Sequence, residues 1–340
     1  MKYFLYCAIK QTDLIPSFFY SAYSLTQTIT DSEAEYKFVL ITDMADDAIA
    51  AMEYINEELK QKITIERIEK EAVDNWLGEN QYIFRVKIKA IQYFQQKYNS
   101  DVFYIDCDMV AKINCMPLFD LLDCQKFFMF AKYGLQMGQF IRDAEPQLIH
   151  TDHPSIKINE KDILTVIKDG SPLCTIDLNK YPYLSCVIGI PKHFSGIVDE
   201  ALALCDDLYA LTKLRTIEEI SFMIVFQKYA SVILTTNYFA TYDAKQWNRY
   251  ILGHLCGFFI GEDKNKFLKM VNSLQIRVPP NTYTYKLFCY LQALFTCFKD
   301  GLLLNKSNLT NILEKNSWQD VDDDWSFIAN IMRDYTGIEI

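Results

Sequence analysis

The sequence predicts an α/β fold with a mixed, mostly parallel sheet flanked by helices, on three observations. Short apolar runs rich in β-branched and aromatic residues alternate with longer stretches of helical spacing through the first half of the chain. That β-α-β-α-β order favours parallel strands joined by right-handed crossovers. The run Val102-Phe103-Tyr104-Ile105 then ends in Asp106-Cys107-Asp108, so two carboxylates stand where a buried strand emerges. In open sheets of this kind ligands bind beyond the carboxyl ends of the strands.

The elements follow in order. Tyr3 to Ile9 reads as the first strand, being too short for a signal or a membrane span. Pro16 to Thr28 has helical spacing of Phe18, Tyr20, Tyr23 and Leu25. Tyr36 to Ile41 is a second strand, stopped by Thr42-Asp43. Ala45 to Lys60 reads as one helix with acidic residues toward its start, as the helix dipole prefers. Ile63 to Ile68 alternates apolar and charged residues and reads as an edge strand. Phe84 to Tyr98 is helical and leads into the Val102 strand, and Phe127 to Ala131 is a further strand. Residues 132–180, with their glycines and prolines, read as an irregular insertion on the acceptor side, with short elements of its own. Leu184 to Ile190 resumes as a strand, Val198 to Leu211 and Ile217 to Tyr229 as helices, and Val232 to Thr236 as a short last strand. From Lys264 onward the spacing is mainly helical, with an aromatic-rich helix near Tyr283 to Phe298 that favours core packing over membrane contact.

Composition narrows the function. Half of the 340 residues are apolar and 14% are aromatic, which suits a folded globule. A formal charge of -10 provides no basic face for nucleic acid, and an anionic phosphate substrate would need a metal or a few placed cations. The ten cysteines, without CxxC pairs, read as buried free thiols of a reducing cytoplasm.

Side chains alternate along a strand, so the expectation is that Asp106 and Asp108 point the same way and Cys107 the other. Paired carboxylates at that place are costly unless they hold a cation or do chemistry. A hard divalent ion, which takes carboxylate oxygens and shares them with phosphates, is the first expectation. The plainer alternative is a strand end that caps a turn.

The segment Phe84-Arg85-Val86-Lys87-Ile88-Lys89-Ala90, followed by Val102 to Val110, resembles nucleotide-sugar glycosyltransferases of the GT-A fold. Ile217-Glu218-Glu219-Ile220-Ser221-Phe222 resembles the acidic helix start that faces the donor sugar there. His254-Leu255-Cys256-Gly257, after Trp247-Asn248, resembles the HxxG element of the retaining members similar to glycogenin and bacterial lipooligosaccharide galactosyltransferases. The resemblance implies a GT-A domain over residues 1–262 with a helical region over 263–340. It implies Mn2+ or Mg2+ held by Asp106, Asp108 and His254, and a nucleotide-sugar donor, in the first place a UDP-sugar, met by Ile9, Arg85, Lys87, Asp106, Asp108 and Gly257. Glu218 or Glu219 would act at the sugar, and an inverting route would take Asp177 or Glu219 as base. The acceptor would be a glycan, a lipid-linked glycan or a protein, and the location cytoplasmic, with contact at the inner face of a membrane.

Two departures from that pattern stand out. Leu184-Ser185-Cys186-Val187 replaces the Asn-x-Gly of those retaining enzymes, and Phe258-Phe259-Ile260 replaces the Lys-Pro-Trp that trails HxxG. Bland readings stand beside the functional ones: Lys87 as a solvated helix residue, Glu218-Glu219 as complements to a helix N-terminus, His254 as a hydrogen-bonded histidine, and His150 and His153 as solvated loop residues. Among rival enzymes, haloacid-dehalogenase-like phosphatases also place a DxD at a strand end, with the first Asp as nucleophile. There the motif opens the fold, whereas strands precede it here. Asp320 to Asp324 imitates that family's later acidic motif without a strand before it. A nucleotidyltransferase would need a Gly-rich loop after the first strand, and Ile9-Lys10-Gln11-Thr12-Asp13 has no glycine. The non-enzyme alternative is a degenerate transferase that binds carbohydrate without turnover.

Overall fold

The structure, a computed structural model, describes residues 1–11, 14–29, 35–52, 55, 57–132, 134–144, 155–159 and 161–241. The first strand, β1 (Lys2–Ala8), leads into helix α1 (Leu14–Thr28), strand β2 (Tyr36–Thr42), helices α2 (Ala45–Met52) and α3 (Glu57–Lys62), and strand β3 (Ile63–Arg67). Helices α4 (Lys70–Leu77) and α5 (Arg85–Tyr98) precede β4 (Val102–Ile105), β5 (Met109–Ala111), α6 (Pro117–Asp123) and β6 (Phe127–Lys132). Next come α7 (Met137–Ala144), β7 (Ile156–Ile158), β8 (Ile163–Lys168), β9 (Ser171–Asp177) and β10 (Tyr183–Ile190). Helices α8 (Gly196–Thr212) and α9 (Ile217–Tyr229) and strands β11 (Val232–Leu234) and β12 (Phe239–Thr241) complete the described chain.

Seven strands form one sheet in the order β11-β6-β10-β4-β1-β2-β3. β1 runs parallel to β2 and β4, β2 to β3, and β6 to β11, while β10 lies antiparallel between β4 and β6. The predicted mixed, mostly parallel sheet is therefore what forms, and β3 is the edge strand its alternation suggested. Both faces are covered. Leu5, Val39, Tyr104, Met129 and Ile188 face a core with α5, α8 and α9, while Phe4, Phe38, Phe103, Phe128 and Val187 face a second core with α1 and α6. Burial on both sides is why Val102 to Ile105 is apolar at every position.

Three expectations change. The helix expected over Ala45 to Lys60 is two, because the Ile55 amide turns back to the Met52 carbonyl at 3.3 Å and closes α2. The insertion is more regular than expected: β7, β8 and β9 form an antiparallel sheet of their own. Asp169 and Gly170, with φ of 51° and 78°, make the two-residue turn between β8 and β9. Finally, the strand stops at Ile105, and Asp106 to Asp108 form a turn closed by the Met109 amide on the Asp106 carbonyl at 3.1 Å. Strand alternation therefore does not orient the two aspartates. The turn does, because β5 leaves the main sheet to pair with β12. The predicted helical region 263–340, with its aromatic-rich helix near Tyr283 to Phe298, lies outside the described residues. Among the described residues no helix is long and apolar enough to cross a membrane.

Candidate functional site

A helix that precedes a parallel strand runs back along the sheet, so its start lies near the strand's carboxyl end. That brings Lys87, in the first turn of α5, to Asp106, just beyond β4. The Lys87 ammonium is 3.1 Å from Asp106 Oδ2, and the Tyr104 hydroxyl donates to Asp106 Oδ1 at 2.7 Å. The Asp106 amide donates to the Cys186 carbonyl at 2.8 Å, tying the turn to β10.

β10 supplies the centre of the cluster. Between Leu184 and Ile188 it advances four residues while β6 advances two, from Ala131 to Met129. The irregularity frees Ser185 from the ladder on that side and turns it toward α9, as bulges beside sites do. Ser185 Oγ accepts from the Lys87 ammonium at 2.9 Å and lies 3.1 Å from Glu218 Oε1 and 3.4 Å from Glu219 Oε1. Its amide donates to Glu219 Oε1 at 3.3 Å. Glu218 Oε1 is 3.7 Å from the Lys87 ammonium, and Glu218 Oε2 is 3.0 Å from the Tyr82 hydroxyl. Tyr82 is held by stacking on Tyr209, ring centroids 4.0 Å apart.

Burial sets the electrostatics. Glu218 and Glu219 are only 1% and 7% exposed although they open a helix whose dipole favours carboxylates. Desolvation wins: burial, with the neighbouring Glu218 charge, pushes Glu219 up to about 8, and burial also raises Glu218. Burial alone would lower the Lys87 pKa, but Asp106 and then Glu218 outweigh it and hold the ammonium above its ordinary value. One ammonium thus faces three carboxylates, and burial favours the neutral form of both glutamates. Asp108, itself 6% exposed, shares this environment. The Cys186 thiol is pushed well up by burial first and Asp106 next, with smaller pushes from Asp108 and Glu219.

Of the residues singled out in the sequence, Lys87, Asp106, Glu218 and Glu219 come together, with Asp108 on the same turn as Asp106. Arg85 is directed elsewhere: its Nε and Nη2 donate to Asp206 at 2.6 and 3.0 Å, and Nη1 to the Asn75 and Trp76 carbonyls. Ile9 is buried in the core just past β1. Asp177 ends β9 and accepts from the Asn179 amide at 3.0 Å. His254, Gly257, His150, His153 and Asp320 to Asp324 lie outside the described residues. Ser185, Tyr82 and Tyr104 were not singled out as site residues. Ser185 carried one signal, its place where Asn-x-Gly was expected.

Carboxylates at Asp106 and Asp108 are the oxygen donors a hard divalent ion takes, so the donor chemistry fits such a metal. Among the described residues no three His, Cys, Asp or Glu side chains gather into a group that could hold one.

No protein-family model matches the chain, and no curated protein matches it. The solved structures similar to it include the following three. Mouse xyloside xylosyltransferase 1 in its apo form is 13% identical, covers 69% of this chain and 84% of its own, and has a TM-score of 0.44. The galactosyltransferase LgtC in complex with donor and acceptor sugar analogues is 12% identical over 65% of this chain and 70% of its own, with a TM-score of 0.41. An active-site mutant of LgtC is 10% identical over 75% of this chain and 95% of its own, with a TM-score of 0.45.

Proposed function

We propose that this protein is a metal-dependent glycosyltransferase that moves a hexose from a nucleotide-diphosphate sugar, in the first place a UDP-sugar, to a glycan, lipid-linked or protein acceptor. The observation that carries the reading is the meeting of three parts at one strand end: the aspartate turn, the Lys87 ammonium 3.1 Å from Asp106, and the buried Glu218-Glu219 pair joined to Lys87 through Ser185. Transfer from a sugar nucleotide expels a diphosphate and leaves the sugar carbon oxocarbenium-like. Asp106 and Asp108 would hold the metal, with His254 as the further ligand that the sequence resemblance implies. Such an ion, when bound, offsets the charge on the diphosphate oxygens as a Lewis acid. Among the described residues Lys87 is the one cation of the cluster, and it suits the same phosphates. Glu218 and Glu219 would face the sugar, where an ionised carboxylate offsets positive charge and a protonated one donates to a hydroxyl. The GT-A domain assigned to 1–262, the helical region 263–340, contacts from Ile9 and Gly257, and a cytoplasmic, membrane-peripheral location belong to the same reading, while Arg85 is taken up by Asp206 and by the Asn75 and Trp76 carbonyls.

The phosphatase alternative needs Asp106 as a nucleophile in a motif that opens the fold, whereas β1, β2 and β3 precede it here. A calorimetric screen of UDP-sugars with and without Mn2+, paired with an assay of donor hydrolysis, tests the proposal. Mn2+-dependent binding with slow hydrolysis of one donor is the expected result. Mg2+-dependent phosphate release from phosphomonoesters would turn the assignment to the phosphatase, and binding of carbohydrate with neither metal nor nucleotide response would turn it to the binding module.

A further inference from the structure

Asp106 is engaged at both oxygens before any ligand arrives. The Tyr104 hydroxyl takes Oδ1 at 2.7 Å, and the Lys87 ammonium sits 3.1 Å from Oδ2. The ammonium is not a mobile surface charge. Lys87 is 9% exposed, and Ser185 Oγ at 2.9 Å, the Ser185 carbonyl at 3.4 Å and Glu218 Oε1 at 3.7 Å surround it. Its charge also lies 5.5 Å from the Tyr104 ring centroid. A divalent ion approaching Asp106 therefore meets a resident positive charge on the same carboxylate, held by an ammonium that is itself largely out of water.

The geometry points to Lys87 as a resident counter-ion that competes with a divalent metal for Asp106 and holds metal affinity down until an anionic diphosphate draws the ammonium away. This rests on the metal and diphosphate reading above. The lysine is suited to the exchange because its ammonium is a compact charge on a flexible four-carbon stem. A phosphate oxygen offers it a partner to replace Asp106, and the freed carboxylate is then available to the metal. Metal and nucleotide would assist each other's binding, and by linkage the assistance is reciprocal.

The test is a titration with Mn2+ alone, followed by calorimetry and thermal melting, on the wild-type protein, Lys87→Met and Lys87→Gln. The glutamine variant keeps a hydrogen-bond donor toward Ser185 without the charge. Both variants are expected to bind Mn2+ about tenfold more tightly than wild type, within the usual range of site-to-site coupling. Mn2+ should also raise their melting temperatures more than it raises that of wild type, since the ion takes over the missing counter-charge. Mn2+ binding in the variants no tighter than in wild type overturns the competition. A wild-type arm needs no variant to fold: UDP must tighten Mn2+ binding, and an affinity unchanged by UDP also overturns the inference. No Mn2+ response in any protein, with or without UDP, removes the metal reading itself, an outcome distinct from the other two.

Discussion

The Lys87 ammonium donates to the Ser185 hydroxyl across 2.9 Å, and through that hydroxyl the start of α5 is joined to the start of α9. A single small side chain on an irregular stretch of β10 thus serves a lysine and two glutamates, all of them buried. Polar groups so placed are costly to leave unmatched, which makes the joint sensitive to loss of one oxygen.

Ser185→Ala tests this directly. The variant removes the hydroxyl that lies between Lys87 and Glu218. A loss of about 1–3 kcal/mol in urea unfolding is expected, the usual cost of an unsatisfied buried polar group. Stability within a few tenths of wild type would show that the cluster re-pairs without Ser185.

Asp108→Asn isolates the metal role from the ion pair, since the amide keeps the shape and removes the charge at a residue other than the Lys87 partner. Thermal melting with and without Mn2+ in the presence of UDP is the measurement. Wild type is expected to gain stability from Mn2+, and the variant to gain none. A wild-type response from Asp108→Asn would end its assignment as a ligand.

The sheet was legible because its signals are local. β1, β2, β3, β4, β6 and β10 lie within a residue or two of their apolar runs. The direction of β10 was not legible, because an antiparallel strand buried on both faces has the same apolar pattern as a parallel one. The β8–β9 hairpin leaves a local signal: Asp169-Gly170 is a strong two-residue turn pair, and Pro172 fits a strand at the edge of its sheet. Lys87, Asp106 and the glutamate pair stood out by residue type and position. Ser185 and Tyr82 did not, because a serine in a strand or a tyrosine before a helix gains its meaning only from what the fold sets opposite it. Asp106 and Asp108 carry their signal in residue type and place rather than in alternation, since the period-two pattern ends where the chain turns at Asp106.

Gly189→Ala should destabilise the sheet. A Cβ at Gly189 would stand 2.2 Å from Phe128 Cε1, directly across the β10–β6 pairing. The Phe128 ring is fully buried and meets Phe103 edge-on at 4.9 Å, so it has little room to yield. Overpacking of this kind costs about 1–3 kcal/mol, and thermal unfolding should register a value at the upper end. The double variant with Phe128→Leu should recover part of the loss. No destabilisation in the single variant would mean that β6 and β10 separate more readily than their packing suggests.

Glu219→Gln should change how stability depends on pH. The carboxyl is raised from its usual 4.5 to about 8, chiefly by burial and then by Glu218. Below 4.5 both folded and unfolded chains hold the proton, so its contribution to stability is fully present. Between 4.5 and 8 the unfolded chain releases the proton and the folded chain keeps it, so stability falls as pH rises. Above about 8 both states are ionised and the contribution is gone. Glutamine retains the acceptor for the Ser185 amide and cannot ionise, so the variant should lose this part of the slope. Denaturant unfolding from pH 5 to pH 9 is the measurement. The variant should gain on wild type by on the order of 3 kcal/mol across that range, a figure reduced for the shared titration with Glu218. Parallel stability curves for the two proteins would mean that Glu219 is already ionised in the folded state at neutral pH, with Lys87 carrying more of its charge than the geometry indicates.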